Sequence, residues 1–139
     1  MNPILLLLPI AIHALVTLAL YAPMSLARLR TVKEGKVRAR VYKLNREEPE
    51  ESLRWSNAIR NQNETGGLFY AACILAYVTN GGSFLTALLA WGFLVAKLVH
   101  VAIHATSNDL RLRRPLFMVA YFLLILLWLV VLLHLVSGL

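Results

Sequence analysis

The sequence predicts an all-α integral membrane protein, a bundle of four transmembrane helices, and three observations lead to that fold class. Hydrophobic residues make up 59% of its 139 residues and charged residues only 15%, a balance typical of membrane proteins. Four mostly apolar stretches, one with a polar lead-in, match the roughly 20 residues that a helix needs to cross a bilayer. The basic residues are concentrated in alternate connections, as the positive-inside rule requires.

The four spans are predicted in a single domain that covers residues 1–139, at about 4–27, 65–79, 83–105 and 115–136. The first apolar run lacks a basic start and is followed by a basic flank, so we interpret it as a span and not as a cleaved signal peptide. A Glu–Pro step in KLNREEPEES then breaks any helix. The second helix is expected to begin near Ser52, which offers an N-cap, well before its apolar part.

The charge distribution predicts the orientation. Ten of the 14 Lys and Arg residues lie in the first connection, at about 28–60, and three more lie in the third, at about 106–114. The positive-inside rule places both connections in the cytoplasm and both termini on the other side, and we expect a bacterial inner membrane protein. The net charge of +7 then indicates attraction to anionic membrane lipids and not to nucleic acid.

A polar stripe accompanies the entry of the second helix into the membrane. At about 100° per residue, Arg54, Asn57, Asn61 and Glu64 fall within an arc of about 80°. Too few residues follow Glu64 to cross the hydrocarbon alone, so Asn61 and Glu64 are expected at or just inside the membrane boundary.

A second polar stripe follows the third helix, provided that the helix continues past its apolar part: Lys97, His100, His104, Ser107 and Arg111. Ionisable groups at such depths usually face a bundle interior or one another, so Glu64 is expected as an electrostatic partner of Lys97 or a histidine. The two stripes predict a polar pocket between helices two, three and four. An anionic ligand would suit its cations, which are Arg54, Lys97, Arg111 and Arg113, and an amine would suit Glu64.

Simpler interpretations of the polar residues stay open. Such residues often only join helices or reach for water, and we assign Arg60 and Gln62, which lie off the first stripe, to the membrane interface. His100 and His104 have the spacing of a metal pair, but that spacing is common and no metal site is assigned. Packing roles are assigned to the remaining conspicuous residues, which are His13, Gly66, Gly67, Cys73 and His134.

The segment RWSNAIRNQNETGGLFYAACILAY (Arg54–Tyr77) resembles the second helix of the MAPEG family, the membrane-associated proteins of eicosanoid and glutathione metabolism. That helix carries Asn-x-x-Glu at its cytoplasmic start, here Asn61-Gln-Asn-Glu64. The resemblance covers most of the chain: four spans, a basic first connection and a third helix leading to an arginine before a proline.

The resemblance implies a homotrimer that binds glutathione, as co-substrate, between subunits near the cytoplasmic face. Arg111 matches the arginine that stabilises the thiolate in catalytic members, although Arg113 or Arg114 could take that place. Lys97 stands where an arginine is usual. The residues assigned to glutathione by the resemblance and the stripes are Arg54, Asn57, Asn61, Glu64, Lys97, His100, His104 and Arg113.

The sequence also departs from the family pattern. Asn57 replaces an arginine, Thr65 replaces an aromatic residue, and His100 and His104 replace tyrosines that contact glutathione in eukaryotic members. These departures weaken the glutathione assignment more than the family resemblance. The resemblance still implies a membrane-bound glutathione transferase or peroxidase that acts on apolar small-molecule electrophiles. The alternative is a non-catalytic member that binds a lipid or another anionic ligand.

Overall fold

In the computed structural model, which describes residues 2–44 and 47–138, every regular element is a helix. In chain order the helices are α1 (Ile4–Ala19), α2 (Tyr21–Lys33), α3 (Val41–Leu44), α4 (Glu50–Val78), α5 (Phe84–Ala105) and α6 (Leu110–Ser137). Three helical segments are long and apolar enough to cross a membrane, namely Ile4–Lys33, α5 and α6. The all-α fold and the integral membrane character are confirmed for the described residues.

The first helical segment is longer than the predicted span at 4–27 and is interrupted once. Pro23 has no N–H to donate to the carbonyl of Ala19, and its ring crowds that carbonyl, so α1 ends there and α2 follows almost at once. α2 ends at Lys33, just before Gly35, whose positive φ of 70° allows the reversal that glycine favours after a helix. The basic residues of this segment therefore lie in α2, beyond the apolar part of the segment.

α4 is one helix of 29 residues that joins the charged and apolar parts of the predicted second helix. It begins at Glu50, because Pro49 occupies the N-cap position with an extended ψ of 146°. The predicted cap at Ser52 is wrong: this buried hydroxyl lies inside the helix and donates to the carbonyl of Pro49 (3.2 Å). α4 is not among the three membrane-length apolar helices, yet it contacts α1, α2, α5 and α6 and so lies centrally in the bundle.

A capped turn connects α4 to α5. Asn80 takes a left-handed conformation with φ 57°, and Ser83 caps α5 by accepting the N–H of Thr86 (3.1 Å) while the hydroxyl of Thr86 accepts the N–H of Ser83 (2.6 Å). On α6, Nε2 of His134 lies 2.9 Å from the carbonyl oxygen of Thr79. This end of the bundle is thus closed by a tight turn that α6 holds in place.

The main core lies where α1, α4, α5 and α6 meet. Phe69 and Phe93 stack with ring centroids 4.4 Å apart, and His13 packs beside both rings while its Nδ1 lies 2.8 Å from the hydroxyl of Tyr70. Cys73 is fully buried in the same core. These contacts agree with the packing roles assigned to His13 and Cys73.

The first connection is pinned to the start of α4 by a buried carboxylate. Glu48 accepts from Nε of Arg28 (2.9 Å) and from the hydroxyl of Ser56 (3.0 Å), and Arg28 also donates to Ser56 (3.0 Å). Burial acts to raise the pKa of Glu48, but the hydrogen bonds from Arg28, Ser52 and Ser56 outweigh it and the net pKa is lowered. The network ties α2 to α4 and so fixes the orientation of the polar stripe on α4.

Candidate functional site

Three cavities that share lining residues lie at the end of the bundle where α4 begins and α5 ends. The largest, about 460 Å³, is lined by residues of α4, α5 and the connection to α6: Glu50, Glu51, Leu53, Arg54, Asn57, His104, Thr106, Ser107, Asn108 and Arg113. The second, about 260 Å³, is lined by Asn57, Arg60, Asn61, Glu64, His104 and Arg113. The third, about 270 Å³, is lined by Asn61, His100, Leu110, Arg113, Arg114 and Phe117. We call the three together the polar site.

Arg113 is the one residue common to all three of these cavities. It lies in the first turn of α6 and is half-buried, and its Nη1 donates to the side-chain oxygen of Asn108. Within the described residues its Nε has no hydrogen-bond partner. A cationic donor is therefore available at the centre of the polar site.

Arg111 lies elsewhere, because the third helix does not continue as the second stripe required. α5 ends at Ala105, Asn108 reverses the chain with a φ of 54°, and Asp109 caps α6 by accepting the N–H of Arg111 (2.8 Å). Two residues along a helix are about 200° apart, so Arg111 is exposed and outside the three cavities while Arg113 lines them. Ser107 lines the largest cavity from the connection and not from a helix.

The first stripe is brought together as a continuous face of α4. Arg54 donates weakly to the carbonyl of Thr106 at the end of α5 (3.5 Å), and Asn57 accepts from Arg60 (2.9 Å). Asn57 and Asn61 are half-buried and Glu64 is exposed, and all three line the second cavity. Arg60 joins them there although it lies off the stripe.

Lys97 is fully buried and bonds to Asn61 instead of Glu64. Its Nζ lies 2.9 Å from both the backbone oxygen and the side-chain oxygen of Asn61, and no ion pair between Lys97 and Glu64 is formed in the described part of the chain. A direct pair does not form because α5 meets α4 at Asn61, whereas Glu64 is exposed. Lys97 is also outside the three cavities.

His100 and His104 line the inner wall of the polar site. Both are 2% exposed, their ring centroids are 5.9 Å apart, and Nδ1 of each lacks a partner among the described residues. No cluster of three His, Cys, Asp or Glu side chains suited to a metal ion occurs in residues 2–44 and 47–138. Their free ring nitrogens are hydrogen-bonding groups for water or a ligand.

Gln62 is a site-forming residue that the sequence interpretation misplaced. It is not an interface residue: only 1% of it is exposed, and its Nε2 donates to the backbone oxygen of Lys97 (3.4 Å). The signal was present in the sequence, because Gln62 continues the helical spacing of the buried positions Ala58, Thr65 and Phe69. It joins α4 to α5 one residue away from Asn61.

The family model described as MAPEG family matches residues 6–133, nearly the whole chain. No curated protein and no solved structure matches the chain significantly.

Proposed function

The chain belongs to the MAPEG family, and from this membership we propose that it is a membrane-bound glutathione-dependent transferase or peroxidase that acts on apolar electrophiles. Membership confirms the resemblance that Asn61 and Glu64 carry. The activity, the glutathione site and the trimer are parts of the proposal.

The observation that carries the proposal is a set of buried polar atoms without protein partners around the polar site. Four of the seven such side-chain atoms in the described residues belong to its lining: Nε of Arg54, Nδ1 of His100, Nδ1 of His104 and Nε of Arg113. A buried polar group without a partner costs roughly 1–3 kcal/mol. Four together favour a ligand or ordered water that supplies the missing partners.

The charges around the polar site fit glutathione, which carries two carboxylates and one ammonium group. The cavities are lined by four cations, Arg54, Arg60, Arg113 and Arg114, and by three anions, Glu50 and Glu51 in the largest cavity and Glu64 in the second. Arginine binds carboxylates with paired hydrogen bonds, so the carboxylates would lie near the arginines and the ammonium group near Glu64.

We assign the thiolate-stabilising role to Arg113 in place of Arg111, because Arg113 lines every cavity of the polar site. A thiol has a pKa of about 8.5, and a nearby cation lowers it so that more thiolate is present at neutral pH. In a transferase reaction the thiolate forms a bond to the electrophilic carbon and a halide departs. In a peroxidase reaction it takes the terminal hydroperoxide oxygen as a sulfenic acid and releases an alcohol, and a second glutathione then gives the disulfide and water.

The setting of the polar site agrees with binding between subunits on the cytoplasmic side of a homotrimer. Glu64 and Asn63 are exposed on a single subunit, so a neighbour that packs beside α4 would close the second cavity. The basic connections lie at the same end, and the positive-inside rule would place that end in the cytoplasm and both termini outside. Apolar electrophiles would then reach the thiolate from the bilayer.

A non-catalytic member that binds a lipid or another anion is the second candidate. The polar site offers arginines to a headgroup, and a separate groove of about 310 Å³ between α4 and α6 is lined by apolar and aromatic residues: Leu68, Tyr121, Leu124, Ile125, Trp128, Leu129 and Leu132. Trp128 donates its indole N–H to the carbonyl of Leu68 (3.2 Å). Because this bond occupies the indole N–H, the groove presents apolar walls, and an acyl chain would contact those walls.

The experiment is a comparison of matched variants of the purified protein in detergent. Glutathione binding is measured by calorimetry, and turnover is measured with 1-chloro-2,4-dinitrobenzene and with cumene hydroperoxide. We expect Arg113→Gln and Glu64→Gln each to raise the dissociation constant for glutathione about tenfold or more. A tenfold rise corresponds to a loss of about 1.4 kcal/mol of binding free energy. The exposed residues Arg40 and Glu47 supply the controls Arg40→Gln and Glu47→Gln. Wild-type protein that binds an anionic lipid but no glutathione would replace the first candidate with the second.

A further inference from the structure

The contact between Lys97 and Asn61 fixes which side of the Asn61 amide faces the polar site. The ammonium group of Lys97 carries three donors and no acceptor, so only the oxygen of a side-chain amide can face it. Its Nζ lies 2.9 Å from Oδ1 of Asn61 and 2.9 Å from the backbone oxygen of the same residue. The oxygen of the amide is therefore bonded to Lys97 on the inner side, and the NH₂ group is the side of the amide that is left to face the polar site.

Lys97 is itself held firmly from several directions. Its side chain is 0% exposed, its backbone oxygen accepts from Gln62 (3.4 Å), and its Nζ lies 5.8 Å from the ring centroid of Phe117. Gln62 and Asn61 are consecutive on α4, so two adjacent residues of α4 are joined to one residue of α5. Such a buried cross-link leaves Asn61 little freedom to turn its amide over.

Asn61 is the member of this pair that reaches the cavities. It is half-buried and lines both the second and the third cavity of the polar site, whereas Lys97 lines neither. Within the described residues, Asn61 is thus the lining residue to which the Lys97 ammonium group is hydrogen-bonded.

We propose that Lys97 is a positioning residue that holds the Asn61 amide with its oxygen inward, so that Asn61 donates an N–H to an acceptor of the ligand. The acceptor is a carboxylate or a peptide carbonyl, and the amine of the ligand is excluded from this position. The inference rests on the proposed function, because glutathione supplies acceptors of both kinds.

Asn61→Asp is a direct test, because it keeps an oxygen for Lys97 and replaces the N–H donor with an anionic oxygen that only accepts. We expect the dissociation constant for glutathione to rise about tenfold or more, while the apparent melting temperature in detergent stays equal or rises. Glutathione affinity equal to that of wild type would overturn the donor role of Asn61.

Lys97→Met tests the positioning step, since it removes the ammonium group and keeps an unbranched apolar stem. We expect the KM for glutathione to rise about tenfold with a smaller change in kcat, and Lys97→Arg, which keeps the donors, to restore part of the affinity. Lys33→Met, at an exposed lysine of α2, is the matched control. A lower melting temperature with an unchanged KM would reduce Lys97 to a structural role and overturn the proposal.

If wild-type protein does not bind glutathione, the proposed function has failed, and this outcome is separate from the inference. In that case melting temperatures test the contact between Lys97 and Asn61 by themselves. Asn61→Asp must be at least as stable as wild type, and the combined Lys97→Met and Asn61→Leu variant must lose less than the sum of the single losses. Additive losses, or a destabilised Asn61→Asp variant, would show that the amide oxygen does not depend on Lys97.

Discussion

Gly66 lies directly against His13. A Cβ atom at Gly66 would be 3.2 Å from Cε1 of His13, whereas a Cβ at the adjacent Gly67 would meet nothing within 4 Å. His13 cannot retreat easily, because its ring is bonded to Tyr70 and packed beside Phe69. Of the two glycines to which close packing was assigned, only Gly66 meets a neighbour at close range among the residues that the structure describes.

Gly66→Ala should therefore destabilise the bundle while Gly67→Ala should not. An added methyl group in a packed core costs roughly 1–3 kcal/mol, whereas alanine in place of an unconstrained helical glycine gains up to about 1 kcal/mol. Thermal unfolding in the same detergent checks both variants. Equal melting temperatures for the two would contradict the close approach of α1 to α4 at this point.

The choice between Arg113 and Arg111 predicts a difference in pH dependence. If Arg113 stabilises the thiolate of bound glutathione, Arg113→Gln shifts the acidic limb of the kcat profile upward, by about one pH unit for each 1.4 kcal/mol of lost interaction. Arg111→Gln should leave that limb in place, because Arg111 lies outside the three cavities. The profiles are measured with glutathione and an aryl halide, with Arg40→Gln as an additional control. A shifted limb for Arg111→Gln alone would return the role to Arg111.

The Arg28–Glu48 network predicts a pH-dependent contribution to stability. The pKa of Glu48 lies below its ordinary value of 4.5 in the folded chain, so this contribution is complete above pH 4.5 and is lost as the pH falls through the lower, folded pKa. Glu48→Gln should lower the melting temperature at neutral pH, corresponding to roughly 1–3 kcal/mol.

The variant's further loss of stability in acid should then be smaller than that of wild type. Melting temperatures from pH 7 down to pH 3 measure the difference between the two proteins. Parallel curves across this range would mean that Glu48 does not gain from ionisation in the folded state.

The turn between α4 and α5 predicts a coupling between Gly81 and His134. A Cβ at Gly81 would lie 2.5 Å from Cδ2 of His134, so Gly81→Ala must displace a ring that is bonded to the carbonyl of Thr79. We expect Gly81→Ala to be destabilising in wild type and nearly neutral in a His134→Ala background. A double-mutant cycle on thermal stability measures the coupling, and additivity would count against the contact.

Helical periodicity was sufficient to predict the stripe on α4, because its positions depend only on a continuous helix. The exit of α5 was not predictable in the same way: the helix ends at Ala105, and the left-handed residue Asn108 then reverses the chain and moves Arg111 off the expected face. The Lys97–Asn61 bond depends on how α4 and α5 are rotated against each other, which a single-helix projection does not contain. A pairing of opposite charges, Lys97 with Glu64, was the natural expectation, and the packing of the two helices produced a neutral partner instead.

The half-apolar composition of α4 has a consequence for biogenesis. A translocon releases a segment into lipid according to its hydrophobicity, and α4, although 29 residues long, is not apolar enough to count as a spanning helix. We expect α4 and α5 to leave the translocon together as a helical hairpin, closed by the turn at Asn80, with the more apolar α5 drawing α4 into the bilayer. An insertion reporter placed after α4 or after α5 would decide this, and efficient insertion of α4 before α5 is synthesised would argue for independent entry.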